Sequence, residues 1–167
     1  PQIKVATIDL YNKEQNEGIR CIKEIASDAG KTNYNNDLKN DVFETRYKGD
    51  IPDLSYDIFI SSGGPGSPFE DEDKQWDKDY FTLLDKIWNH NQNSEQKKYI
   101  FFICHSFQMM GRFFKFGEVN QRHSKSFGVM PFNLTKEGKS DNVLKELSNP
   151  FYAADIRQFQ VIEPDEK

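Results

Sequence analysis

The chain has 167 residues, 36% of them hydrophobic, and a formal net charge of −5. That length suffices for one domain with a real core, and the acidic balance argues against a nucleic-acid or acidic-membrane binder. No apolar run approaches a membrane span and the N-terminus shows no basic-then-apolar signal pattern, so the expectation is a soluble, cytoplasmic protein.

Residues 3–8, Ile-Lys-Val-Ala-Thr-Ile, read as a first strand. Asn16 to Ala29 reads as a helix, with Ile19, Ile22 and Ile25/Ala26 at helical spacing and Gly30 as its stop. Cys21 lies in that helix and reads as a partly buried structural thiol. Residues 42–47 form a short strand candidate, and Tyr56 to Ile60 a stronger one. The latter runs into Ser61-Ser62-Gly63-Gly64-Pro65-Gly66-Ser67-Pro68 and then an acidic stretch, 70–73, read as a solvated loop. A helix comes next from Gln75 to His90, with Trp76, Tyr80, Leu83, Leu84, Ile87 and Trp88 on one side, and 90–94 reads as a polar loop. The continuous apolar run 99–103 reads as a buried parallel strand. Residues 106–115 read as a helix with Phe107, Met110, Phe113 and Phe114 on one stripe.

The order β-α-β-β-α-β-α argues for a parallel sheet covered on both faces. Beyond Gly117 the texture changes to short alternating segments at 117–121 and 127–135. A small helix is expected over Asp141 to Leu147, capped by Ser140, then two short strands around 151–154 and 159–162. The reading is a β-rich extension of the same domain.

Cys21 and Cys104 make no disulfide framework, and His90, His105 and His123 lack ligand spacing, so neither a disulfide nor a metal is expected. Cys104 stands where the apolar strand meets a helix. Its sulfur would lie over the carboxyl edge of the sheet at the positive end of that helix, a field that favours the thiolate. The geometry is the thiol analogue of the nucleophile elbow. The glycine-rich turn at 61–68 emerges from the same edge, where open α/β sheets bind ligands. Glycine lets backbone N–H groups approach developing charge, so the turn beside a thiolate reads as an oxyanion hole; an ordinary tight turn is the plain alternative. A phosphate cradle fits less well, because the turn lacks the Lys-Ser/Thr ending of a P-loop. An inert buried cysteine is the plain alternative for Cys104.

Ser62-Gly-Gly-Pro-Gly-Ser-Pro68, with Cys104 and Gln108 in the order of a Cys-x-Gly-x-Gln elbow, resembles the class I glutamine amidotransferases of the GMP-synthase-like kind. The similarity continues through Ser126-Phe127-Gly128-Val129 and Leu134-Thr135. It implies a flavodoxin-like, mostly parallel central sheet flanked by helices, with a small β-rich C-terminal extension, and residues 1–167 as a single domain. It further implies that Cys104 attacks the side-chain amide of L-glutamine and that ammonia leaves. The resulting thioester is hydrolysed, with the N–H groups of Gly64 and His105 holding the oxyanion. Gly66 and Gln108 would help bind glutamine, and Phe159 lies in the stretch 155–159 that would meet its α-amino and carboxylate groups. No cofactor is implied. The implied partner is a synthetase or acceptor domain on another chain.

Three departures stand out. The family has glycine two before and two after the cysteine, where this chain has Phe102 and Ser106, so the elbow is expected to pack differently. None of the three histidines opens a His-x-Glu pair, the family's base motif near the C-terminus. Turnover by this chain as it stands is therefore expected to be poor or absent. Cys104 followed directly by His105 also resembles the PfpI/DJ-1-like proteins, in which His105 would be the partner base of a hydrolase or stress protein. A non-catalytic module on the same fold is the third alternative.

Overall fold

The computed structural model describes residues 2–33 and 37–164. Strands β1 (Ile3–Ile8), β2 (Leu38–Phe43), β3 (Ile58–Ser61) and β4 (Tyr99–Phe102) form one parallel sheet in the order β2-β1-β3-β4. Helices α1 (Glu17–Asn33), α2 (Thr45–Lys48), α3 (Gln75–Asn93) and α4 (His105–Phe114) connect and flank it. A second, two-stranded antiparallel sheet is made by β5 (Glu118–Phe132) and β6 (Phe151–Ile162), with the short helix α5 (Lys136–Ser140) between them. The chain forms two compact units, one of residues up to Val119 together with those from Val161 onward, the other Asn120–Gln160. No helix among the described residues is long and apolar enough to cross a membrane.

Side chains alternate across a strand, so β1 serves two layers. Ala6 and Ile8 join Phe59 in a buried cluster with Trp76, Tyr80, Leu83, Leu84 and Ile87 of α3 and Met109 of α4. Val5 and Thr7 are buried on the other face, where α1 packs on β1 and β2 and buries Ile22 and Ala26. Each large apolar side chain taken from water contributes about 1.5–3 kcal/mol. This cluster holds the carboxyl ends of β1, β3 and β4 in register.

Several expectations are corrected. Gly30 does not stop α1, which runs on to Asn33; it lies inside the helix against Leu38 of β2, where an added Cβ would stand 3.2 Å from the Leu38 side chain. Cys21 is exposed, on the solvent side of that helix. The second strand is Leu38–Phe43, and Thr45–Lys48 is a helical turn, ended by Gly49 in the left-handed region at φ 76°. Helix α3 extends to Asn93, because Asn91 joins its end to β4: its Nδ2 donates to the Lys98 carbonyl (2.8 Å) and its Oδ1 accepts from Lys98 N (2.7 Å). Trp88 is half exposed rather than on the buried side.

Strand β4 is not buried on both faces. Ile100 and Phe102 pack on the α3 cluster, whereas Tyr99 and Phe101 are 67% and 60% exposed. The reason is position: β4 is the edge of the sheet and α1 covers only β1 and β2. In α4 the buried residues are His105, Ser106, Gln108, Met109 and Gly111, while Phe107 and Phe114 face solvent. The bond from the Ser106 hydroxyl to Ser61 O sets the rotation of this helix. The C-terminal region holds two long strands rather than four short ones. Its helix is Lys136–Ser140, capped by Thr135 Oγ1 accepting from Gly138 N (3.0 Å). Residues 142–146 form a turn in which Asp141 Oδ1 accepts from Val143 N (2.8 Å) and Leu144 N (3.2 Å).

Candidate active site

The β3–β4 ladder extends one bond past the end of β4, with Ile103 N donating to Ser61 O at 3.0 Å. The next residue, Cys104, sits at φ 53°, ψ −103° and is exposed. A side chain in that region costs on the order of 1–3 kcal/mol and persists only where its surroundings enforce it. Helix α4 starts at once, with Gln108 N donating to Cys104 O (3.2 Å). Ser106 supplies the enforcement. Its buried hydroxyl donates to Ser61 O (2.8 Å) and accepts from Ile103 N (2.8 Å), joining the elbow to β3. Serine in place of the family's glycine thus acts as a cross-link. Phe102, the other departure, lays its ring on the core.

The glycine turn lies alongside. Ser62 Oγ accepts from Leu10 N (2.9 Å) and donates to Gly63 O (2.8 Å). A Cβ on Gly63 would meet Cys104 Cβ at 3.6 Å, so turn and thiol are direct neighbours. A Cβ on Gly64 would fall 2.5 Å from the Leu10 carbonyl oxygen. Gly66 takes φ 80° with the Glu70 carboxylate against it.

Two arginines fix the segment beyond the turn. Arg46, its side chain 3% exposed, donates to Pro65 O (2.8 Å), Leu10 O (3.4 Å) and Asp71 Oδ2 (3.0 Å), and it pairs with Glu70. Arg112 donates to Asp77 Oδ1 (3.1 Å), Glu72 Oε1 (3.0 Å) and the Pro68 carbonyl. The acidic stretch 70–73 is a turn whose Glu70 and Glu72 stay exposed, but Glu70, Asp71 and Glu72 are ion-paired to these two arginines and Asp71 is buried. Burial raises the Asp71 carboxyl, but bonds from Lys74 and Arg46 outweigh it and hold it below the usual carboxylate range. Burial pushes the Asp77 carboxyl up against the pull of Arg112.

Of the expected site residues, Cys104, Gly64, His105, Gly66 and Gln108 belong to the same unit, at the carboxyl edge of its sheet. Gln108 is buried one turn into α4. Phe159 is on β6 in the other unit, half-buried. His105 offers its backbone at the first turn of α4, where N–H groups have no intrahelical partner. Its imidazole, 2% exposed, is turned into the protein, where Arg46, Glu70, Asp71 and Arg112 act on it. That placement favours a backbone role over a base for the exposed Cys104. The sequence assigns no role to Tyr11, Arg46 or Arg112, and Ser106 enters it only as a departure from glycine. Of the first three, Tyr11 alone had a signal, standing just past β1 at the edge where ligands bind.

Burial first, and then the Arg46 guanidinium, push the His105 imidazole down to about 4. Unfolded, a histidine titrates near about 6.5, so the unfolded chain takes the proton first. This contribution to stability is full above about pH 6.5, falls as the pH drops through that value, and is lost by about pH 4, on the order of 3 kcal/mol in all. Urea unfolding of His105→Gln should show a shallower fall across that window than the parent chain. Parallel curves would show that another group carries the dependence.

No protein-family model matches this sequence, and no curated protein matches it. Solved structures do resemble the fold. A glutamine amidotransferase from Thermotoga maritima aligns at TM-score 0.74 and 15% identity, over 98% of this chain and 64% of that one. A GMP synthase subunit from Thermoplasma acidophilum aligns at 0.64 and 17%, over 99% and 70%. The protein SMU.1228c aligns at 0.67 and 20%, over 98% and 65%. The chain thus spans about two-thirds of the length of these structures. The fold is of the class I glutamine amidotransferase type.

Proposed function

We propose that the chain is the glutaminase unit of a class I glutamine amidotransferase, hydrolysing L-glutamine and passing ammonia to an acceptor site on a synthetase domain or partner chain. The observation that carries this is Cys104, held at φ 53° between β4 and α4 and abutting the glycine turn. The thiolate adds to the side-chain amide carbon, and the oxygen takes the negative charge opposite the N–H groups of Gly64 and His105. Collapse breaks the C–N bond, and the nitrogen takes a proton from a water molecule and leaves as ammonia. The resulting hydroxide adds to the thioester carbon and the sulfur departs as thiolate, which restores Cys104 and releases glutamate, whose carboxyl proton passes to solvent. Gly66 and Gln108 are assigned to holding the substrate. The positive end of α4 favours both the thiolate and the oxyanion.

The test pairs labelling with turnover. An electrophilic glutamine analogue should alkylate Cys104, glutamine should slow that reaction, and Cys104→Ala should abolish it. Any ammonia release from glutamine should disappear in Cys104→Ala. Labelling of Cys104 that glutamine leaves unaffected would overturn the assignment.

A further inference from the structure

The loop after β1 places a phenol beside the glycine turn that the Cys104 Cβ also borders. Tyr11 lies three residues past β1, on the carboxyl edge shared by the glycine turn and Cys104. Its N–H donates to Asp9 Oδ1 (2.8 Å), its carbonyl accepts from Glu14 N (3.0 Å), and its side chain is half-buried. Two glycines make room for the hydroxyl. A Cβ on Gly18, in the first turn of α1, would stand 2.5 Å from Tyr11 Oη. A Cβ on Gly63 would stand 3.1 Å from the same oxygen and 3.6 Å from Cys104 Cβ. The phenol and the base of the cysteine side chain thus border one point, and neither glycine can gain a side chain without displacing the phenol.

We propose that the Tyr11 hydroxyl is a hydrogen-bond donor to the Cys104 thiolate, a role that holds the sulfur in its nucleophilic form. Burial first, then the charges of Cys104 and Asp9, raise the Tyr11 phenol above its ordinary value, so it keeps its proton where the thiolate forms. A phenol with its proton donates; a thiolate only accepts. Hydrogen bonds to an ionised group are the strong ones. The donor role concerns the thiol alone and stands whether or not glutamine is the substrate.

The test is the rate of Cys104 alkylation by iodoacetamide against pH, followed by peptide mass mapping so that Cys21 is scored separately. In Tyr11→Phe the rate at pH 7 should fall roughly tenfold and the midpoint of the curve should rise by about one unit. With 3-fluorotyrosine at position 11, a stronger donor of nearly the same size, the midpoint should move down. The second variant keeps the ring in place if the phenylalanine protein packs poorly, and a merely structural ring would leave its midpoint where it was. A fluorotyrosine curve that overlays the parent's overturns the proposal. So does a folded Tyr11→Phe protein with an unshifted midpoint. Glutamine plays no part in this reaction, so its outcome is separate from that of the glutaminase assignment.

Discussion

Arg46→Met should cost about 3–5 kcal/mol of folding stability, the range for removing one partner of a buried ion pair. The guanidinium bonds at once to the end of β1 through Leu10 O, to the glycine turn through Pro65 O, and to Glu70 and Asp71. Methionine fills much of the volume and still reaches Trp76, over whose ring the guanidinium now lies at 5.4 Å. It leaves Asp71 buried with only the exposed Lys74 at 2.6 Å as a charged partner. Lysine is no substitute, since one ammonium cannot reproduce a planar fork with bonds in several directions. In thermal unfolding the methionine protein should melt roughly 10 °C lower. A loss under about 1 kcal/mol would mean that water replaces the guanidinium and that the turn is held by its own backbone.

Gly64→Ala should separate folding from chemistry. The added carbon would meet the Leu10 carbonyl oxygen at 2.5 Å, and Leu10 cannot retreat: it is fully buried and its N–H is bonded to Ser62 Oγ. The turn must move instead, at a stability cost of about 1–3 kcal/mol, taking the Gly64 N–H with it. If that N–H faces the oxyanion, kcat for glutamine should fall roughly 10²–10³-fold. Alkylation of Cys104 by iodoacetamide builds no oxyanion and should be nearly unchanged. An unaltered kcat would remove Gly64 from the oxyanion hole.

How much the sequence disclosed depends on range. The strands β1, β3 and β4 are short apolar runs, and the elbow is a strand-to-helix change around one cysteine; both are local patterns. The clasp around the turn is not. Arg46 is 25 residues from Asp71, and Arg112 is 40 from Glu72, so the run 70–73 looks like a solvated face until both arginines are placed. Val42-Phe-Glu-Thr-Arg-Tyr47 alternates like a strand, yet it turns helical at Thr45, where Arg46 N donates to Asp9 O at 3.3 Å. Tertiary bonding overrides the local preference there. The ribbon misled in the opposite sense. The polar run 122–126 separates two short segments in the sequence, yet β5 passes straight through it, because a strand in a two-stranded sheet is an edge and tolerates polar side chains. Ser106 was visible only as a missing glycine, because its meaning lies in the Ser61 carbonyl across the sheet.

The backbone at position 104 bears on why a cysteine is there at all. Glycine adopts φ 53° freely, whereas any residue with a Cβ is strained by it. A chain that needed only to pass from β4 to α4 would be more stable with glycine at that position. Under the proposed function, keeping a thiol there exchanges some of the fold's margin for the exposed group that the chemistry requires, the kind of trade-off between stability and activity that sites of chemistry accept. Stabilising this protein and preserving its reactivity are therefore competing aims at this one residue.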